Sequence, residues 1–220
     1  KTGISDIGAR LTASHTGSLS GTDKTYSAFF KRLGICRVAT PSEFVELLKF
    51  LTIAGVPAGQ KIAGFTCSGG GATMLADYAA PLELGFVQPS SHTAAALTQL
   101  LPHTATVTNP LDYTTPIWGD YERTLPVFKC LLEDGYDSVV LVQDYPSAGL
   151  DESKPYYRAD SDSFITACQT ASIPAAICST LPENLDAETR GHILQAGIAP
   201  MQGIETCMQA ISACLLYTSD

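Results

Sequence analysis

The feature that most restricts this fold is a repeated alternation of short apolar runs with helix-patterned segments. Ser138–Gln143 reads SVVLVQ, six residues without a charge. Such an unbroken run fits a strand covered on both faces. Comparable runs lie at Lys61–Cys67, Pro174–Cys178 and Ile198–Met201. The segments between them carry apolar residues at helical spacing, as Leu125, Phe128 and Leu132 do within Tyr121–Glu133. Further helices are expected at Ala72–Leu84, from a Ser90 cap to Leu101, at Ser161–Ser172, from an Asp186 cap to Ala196, and at Gly203–Ala213. Strands alternating with helices need crossovers, which lay down a parallel sheet with helices on its faces. The expected class is α/β, with parallel sheet layers of a flavodoxin-like or Rossmann-like fold.

The first quarter of the chain reads differently. Lys1–Ser20 is small and polar, with Gly3, Gly8 and Gly17, and is expected to be a loop. Tyr26, Phe29, Phe30 and Leu33 then form a helical stripe ended by Gly34, and Ile35–Val38 reads as a short strand. Thr40-Pro41-Ser42-Glu43 is a capping box with proline at the first helical position. Its helix carries Phe44, Leu47, Leu48 and Leu51 and ends near Gly55. The Gly- and Pro-containing segment Gly55–Gln60 reads as a linker, which divides the chain into 1–55 and a unit from 61 onward.

Composition removes several functions. With 45% hydrophobic and 16% charged residues over 220 positions, the chain has material for a core. A formal charge of −9 opposes binding to a phosphate backbone, so no nucleic-acid partner is expected. No basic amphipathic helix and no apolar stretch of roughly 18–20 residues is present, so no membrane partner is expected either. The seven cysteines, Cys36, Cys67, Cys130, Cys168, Cys178, Cys207 and Cys214, are odd in number and contain no C-x-x-C pair. That pattern argues against a disulfide framework or a structural zinc, and for a reduced, cytoplasmic setting. No signal peptide is visible, although a chain opening at Lys1 could have one upstream.

Two features look chemical. His15 stands in Thr12-Ala13-Ser14-His15-Thr16-Gly17-Ser18, among hydroxyls and small residues. An imidazole so placed could attack a phosphoryl group and form a phosphoramidate; it could equally be a solvated loop histidine without a role. The second is Phe65–Asp77, FTCSGGGATMLAD, where Ser68, Gly69, Gly70 and Gly71 join a strand to a helix. Glycines there allow close backbone approach, and the helix start offers N–H donors and a positive dipole end to an anion. The spacing is neither G-x-G-x-x-G nor a Walker loop, which disfavours a dinucleotide and leaves a single phosphate or phosphohistidine as ligand, or no ligand at all. Cys67 could have its thiolate stabilised by that helix start or be a buried strand-end thiol. His92 and His103 near the ends of one helix, and His192 early in another, read as solvated or capping residues. Asp144, after SVVLVQ, stands where α/β ligands bind or simply ends the strand; Tyr113 and Trp118 line a site or pack.

The stretch from Ile7, IGARLTASHTGSLSGTDKTYSAFFKRLGICRVATPSEFVELL, resembles the phosphohistidine region of NDP-forming acyl-CoA synthetases, the acetate–CoA ligase (ADP-forming) and succinyl-CoA synthetase kind. Ala9, Arg10, Ser14, His15, Thr16, Gly17, Gly21 and Asp23 carry the match. FTCSGGGATMLAD is similar to that family's strand–glycine turn–helix element, and Thr108–Asp112, TNPLD, to its GNPxD turn. The resemblance implies that His15 accepts the phosphoryl group, supported by Ser14, Thr16 and Gly17. It implies that Ser68–Gly71 binds phosphate and that Asn109 and Asp112 line the active site. It makes 1–55 the C-terminal part of a succinyl-CoA-ligase-like domain, 61–213 a complete second flavodoxin-like domain, and 214–220, which match nothing in the family, a non-native tail. The implied reaction interconverts acyl-CoA, NDP and phosphate with a small carboxylic acid, CoA and NTP. CoA, ATP or ADP and Mg²⁺ would be held mainly by CoA-binding and ATP-grasp domains or a subunit outside this chain, in an oligomer, and no metal ligands are expected here. The alternatives are a non-catalytic acyl-CoA-sensing module of a protein acetyltransferase, which tends to lose the histidine, and a Rossmann-type nucleotide module.

Overall fold

The structure is a computed structural model that describes residues 3–16, 21–146, 149 and 152–215, without the side chains of residues 15 and 16. The chain divides into two compact units, Lys1–Val38 and Ala39–Asp220.

The described residues of the smaller unit form two helices. The expected loop over 1–20 is instead largely helix α1, Asp6–Thr16. Ser5 opens it, its Oγ accepting the Gly8 N–H at 3.1 Å and its carbonyl the Ala9 N–H at 2.8 Å. Ala9, Arg10, Leu11 and Ala13 are good helix formers, and they outweigh Gly8. Helix α2, Asp23–Arg32, is capped by Thr22, whose Oγ1 accepts from Thr25 N at 3.3 Å, and buries none of its residues. The expected strand at Ile35–Val38 is absent, because no ladder of the sheet includes it and an apolar run without a partner cannot be a strand.

The larger unit opens with α3, Pro41–Lys49, continued by a π-helical turn over Phe50–Ala54. The capping box forms much as read: Thr40 Oγ1 accepts from Glu43 N at 3.1 Å, while Glu43 reaches back to Ala39 N–H at 2.7 Å. Then follow β1 (Ile62–Thr66), α4 (Gly69–Ala79), α5 (Ser91–Leu100), β2 (Leu111–Asp112) and α6 (Tyr121–Leu132). The chain closes with β3 (Ser138–Val142), α7 (Lys154–Ala171), β4 (Ala175–Ser179), α8 (Ala187–Gln195), β5 (Ala199–Gln202) and α9 (Ile204–Cys214). Helix α7 thus starts seven residues earlier than expected, and the NPLD turn contributes a short strand. All ladders are parallel, in the order β2-β1-β3-β4-β5, the flavodoxin-like arrangement. Strands β1, β3 and β4 are buried at every position, which is why their sequences run apolar without alternation. On one face Phe65, Leu141 and Ile177 pack with Leu97, Phe128 and Phe164 from α5, α6 and α7. Helices α3, α4 and α9 pack together on the other.

The expected boundary at 55–60 differs from the observed division, since α3 packs on α9 and β5. Leu47 and Phe50 are buried there. The seam is also polar: Glu46 accepts Lys49 Nζ at 2.7 Å and Gln202 N–H at 2.9 Å, and Lys49 Nζ donates to Pro200 O at 2.7 Å. These bonds cap backbone groups of β5, an edge strand that would otherwise be open to foreign pairing. At the other end α9 runs through Cys214, which is fully buried, so the expected tail boundary at 213/214 falls inside a helix; 216–220 lie outside the described residues.

Candidate functional site

The flavodoxin-like order puts its switch point between β1 and β3, where α/β folds bind ligands at the carboxyl ends of strands. The glycine turn stands at the end of β1. Helix α4 begins at Gly69, three residues earlier than expected, so all three glycines form its first turn. Ser68 is its N-cap but makes no side-chain cap bond, unlike Thr40, Ser90, Asp120 and Asp186 at their helices. The first intrahelical bond runs from Ala72 N to Ser68 O at 3.1 Å, so the N–H groups of Gly69–Gly71 precede the ladder. Ser68, Gly69 and Gly70 are exposed and Gly71 is buried.

The turn has a built support. Thr66, 2% exposed, accepts Ser68 N–H on its Oγ1 at 3.2 Å. A Cβ on Gly71 would lie 2.6 Å from that Oγ1, so glycine is required there for packing. Asp112, at the end of β2, pairs in register with Thr66. Its Oδ1 accepts Thr114 N–H at 2.9 Å, and its Oδ2 stands 3.5 Å from where a Cβ on Gly69 would lie. A carboxylate therefore sits beside the first residue of α4, a position the helix dipole favours.

Asn109, expected to line the site, is a scaffold residue. It is 2% exposed; its Oδ1 accepts Gly64 N–H at 2.9 Å and its Nδ2 donates to Ile62 O at 2.9 Å and Val87 O at 3.0 Å. The amide stands in for a ladder peptide beside β1, ahead of the β1–β2 pairing that starts at Leu111. Asp144 is likewise committed, accepting from Thr180 N at 2.8 Å, Thr180 Oγ1 at 2.7 Å and Asn184 Nδ2 at 3.0 Å. Cys67 is half-buried, and burial first, then the Asp160 carboxylate, pushes its thiol up to about 11, the opposite of a stabilised thiolate. His92 and His103 are exposed. His192 lies in the last turn of α8, not early in it, and its Nε2 is 2.6 Å from Asp162 Oδ1.

The backbone of Ser14, His15 and Thr16 lies in the last turn of α1, not in a loop. Ser14 Oγ donates to Leu11 O at 2.8 Å. Gly17 lies outside the described residues, as do the side chains of His15 and Thr16.

Sequence reasoning missed Asp160. This α7 residue is fully buried, with Oδ2 accepting from Tyr113 Oη at 2.7 Å and Oδ1 from Gly119 N–H at 2.7 Å. Burial pushes its carboxyl up to about 6, against the lowering effect of those two bonds. A signal existed: Asp160 completes a helical stripe with Phe164, Ala167 and Cys168, so an acid occupies a core position. Tyr113, also fully buried, packs edge-on to Phe128 with ring centroids 5.2 Å apart. Trp118 packs against Tyr157 at 4.7 Å, and its Nε1 is buried without a hydrogen-bond partner among the described residues. Among the described residues no group of three His, Cys, Asp or Glu is placed to hold a metal, and no helix is long and apolar enough to cross a membrane.

Comparison with known proteins agrees with this architecture. Residues 1–51 match the family described as succinyl-CoA ligase like flavodoxin domain. The chain is 36% identical over 135 residues to the acetate–CoA ligase [ADP-forming] II subunit alpha of Pyrococcus furiosus, covering 61% of this chain and 29% of that protein. It is 34% identical over 112 residues to the acetate–CoA ligase [ADP-forming] of Methanocaldococcus jannaschii, covering 51% of this chain and 16% of that protein. An acetyl-coenzyme A synthetase 1 of Ca. Korarchaeum cryptofilum, solved with phosphate and ADP, superposes with a TM-score of 0.78 at 23% identity, over 98% of this chain and 45% of that one. The fold is therefore that of the flavodoxin-like part of such synthetases, and the chain is related in sequence to ADP-forming acetate–CoA ligases, of which it spans less than a third.

Proposed function

We propose that this chain is the part of an NDP-forming acid–CoA ligase that carries the phosphohistidine and a phosphate-binding helix start. The observation that carries the reading is the coincidence of two features in one chain related to ADP-forming acetate–CoA ligases. These are the SHTG run at His15 and the glycine helix start at Ser68–Gly71, whose Gly69–Gly71 N–H groups have no side-chain cap.

The chemistry balances as one acyl transfer followed by two phosphoryl transfers. Phosphate oxygen attacks the thioester carbonyl of acyl-CoA; the C–S bond breaks, CoA leaves as the thiol, and an acyl phosphate forms. A His15 ring nitrogen attacks its phosphorus, the P–O bond to the acyl group breaks, and the carboxylate departs. A terminal oxygen of NDP then attacks the phosphohistidine, the P–N bond breaks, and NTP forms. Covalent capture divides one transfer into two easier ones. The N–H groups of Gly69–Gly71 supply preorganised donors to the phosphoryl oxygens, with no side chain to displace first. Asp112, beside Gly69, bears on which protonation state of the bound group is favoured. Ser14, Thr16 and Gly17 shape the turn around His15. Nucleotide and Mg²⁺, like CoA and the acid, are assigned mainly to CoA-binding and ATP-grasp parts outside this chain, in a cytoplasmic oligomer. The test is Gly70→Asp in the full-length ligase: a carboxylate in the first turn of α4 should cut phosphate-dependent turnover by at least about a hundredfold. Unchanged turnover would remove the turn from the mechanism.

A further inference from the structure

We propose that Asp160 is a positioning residue for the Ser68–Gly71 turn, acting through Tyr113. This rests on the reading of that turn as a phosphoryl site.

The connection is continuous. Asp160 Oδ2 accepts Tyr113 Oη at 2.7 Å, and the Tyr113 backbone N–H donates to Thr66 O at 2.9 Å. Thr66 Oγ1 in turn accepts Ser68 N–H, the first donor of the turn. Tyr113 also follows Asp112 directly, so the residue that ties Asp160 to β1 sets where the Asp112 carboxylate stands beside Gly69. The second arm fixes the far end of the same segment. Asp160 Oδ1 accepts Gly119 N–H, where φ is +77° and a Cβ would lie 2.6 Å from Tyr156 Cβ. Between the two arms Thr114 holds a φ of +67°, which a threonine adopts only when its surroundings impose it. One buried carboxylate thus clamps both ends of 113–119 onto α7.

That arrangement is costly to keep. Both donors to Asp160 are neutral, and the groups facing it (Tyr113, Cys67, Tyr145 and Asp120) add no cation. A buried charge with neutral partners destabilises the fold relative to an apolar residue of the same volume, so geometry is the use it serves here. Outer residues that aim a ligand-gripping group commonly change affinity or activity by about 10–100-fold when lost.

The test measures KM for phosphate and for acetyl-CoA in the full-length, assembled ligase. Asp160→Ala removes both arms, and phosphate KM should rise about tenfold while acetyl-CoA KM stays within about twofold. Asp160→Asn should restore both values, because its Oδ1 can accept Gly119 N–H and its Nδ2 can donate to Tyr113 Oη. Tyr113→Phe removes one oxygen and keeps the ring, and it reports in the same direction if Asp160→Ala does not fold. Unchanged phosphate KM in the folded variants, equal rises for both substrates, or an Asn variant that behaves like Ala would each overturn the proposal. If the wild-type ligase shows no turnover, the catalytic reading fails separately, and the same ratios are then read as calorimetric phosphate dissociation constants. A wild-type protein that binds no phosphate overturns both.

Discussion

The two compact units treat their apolar side chains in opposite ways. In Lys1–Val38, Ile4, Ile7, Leu11, Phe29 and Leu33 are each more than half exposed. In Ala39–Asp220, Phe65, Phe128 and Phe164 are wholly buried and pack on one another, Phe164 edge-on to both other rings and Phe65 tilted against Phe128. The larger unit has the core that fixes its geometry. The smaller one carries His15, the proposed phosphoryl acceptor, and none of its described residues belongs to that core. On the proposed reading the covalent step belongs to the smaller unit and the phosphate-binding turn to the larger one, and substitutions should separate the covalent step from stability.

If His15 is the phosphoryl acceptor, His15→Ala should reduce turnover of the full-length ligase to background, because the covalent intermediate is lost; a steady-state assay of the folded variant checks it. In the larger unit the effect should be the reverse in kind. Phe65→Ala should cost about 3–5 kcal/mol in denaturant unfolding, from lost burial and the cavity it leaves. Glu46→Ala leaves Gln202 N–H without its acceptor and Lys49 Nζ without its carboxylate partner, with Pro200 O still accepting from it, and a loss of about 2–3 kcal/mol is expected by the same measurement. An unchanged midpoint would show that α3 adds nothing to the sheet.

Asp160 gives a pH effect with a definite sign. Its carboxyl is pushed up to about 6, above an unfolded value of about 3.9. The folded chain holds that proton more tightly than the unfolded chain does. The associated stability is fully present below the unfolded value and is lost as pH rises through about 6. Asp160→Asn should abolish this loss and make the variant more stable than wild type at mildly alkaline pH, by on the order of 1–3 kcal/mol. Melting temperatures across the acid-to-neutral range would check it; parallel curves for the two proteins would contradict it. The smallest effect belongs to the smaller unit: Phe29→Ala, 53% exposed before mutation, should stay within about 0.5 kcal/mol of wild type.

The same contrast explains what the sequence could and could not tell. SVVLVQ announced β3 because a strand buried on both faces has no other pattern. Thr40–Glu43 announced α3 because capping is local chemistry. Helix α1 was hidden by Gly3 and Gly8, although Ala9–Leu11 favour helix once Ser5 supplies a cap. The partners of Asn109 lie 45 and 47 residues away in Gly64 and Ile62, and no short-range pattern records such a contact. Asp160 and Ser163 are fully buried polar residues whose partners Tyr113, Gly119 and Thr124 come from distant segments. At the candidate site, spacing singled out Ser68–Gly71 and the resemblance alone singled out Asp112, whereas Thr66, Tyr113 and Asp160, which support that turn, are products of packing.

The most direct test of the account is phosphohistidine formation. The full-length ligase would be incubated with labelled ATP and Mg²⁺, and the label located by mass spectrometry. The account predicts acid-labile, base-stable label on His15, discharged by ADP or by acid plus CoA. A folded protein that binds CoA and acquires no label at His15 would contradict it and would favour an acyl-CoA-sensing module that performs no ligation.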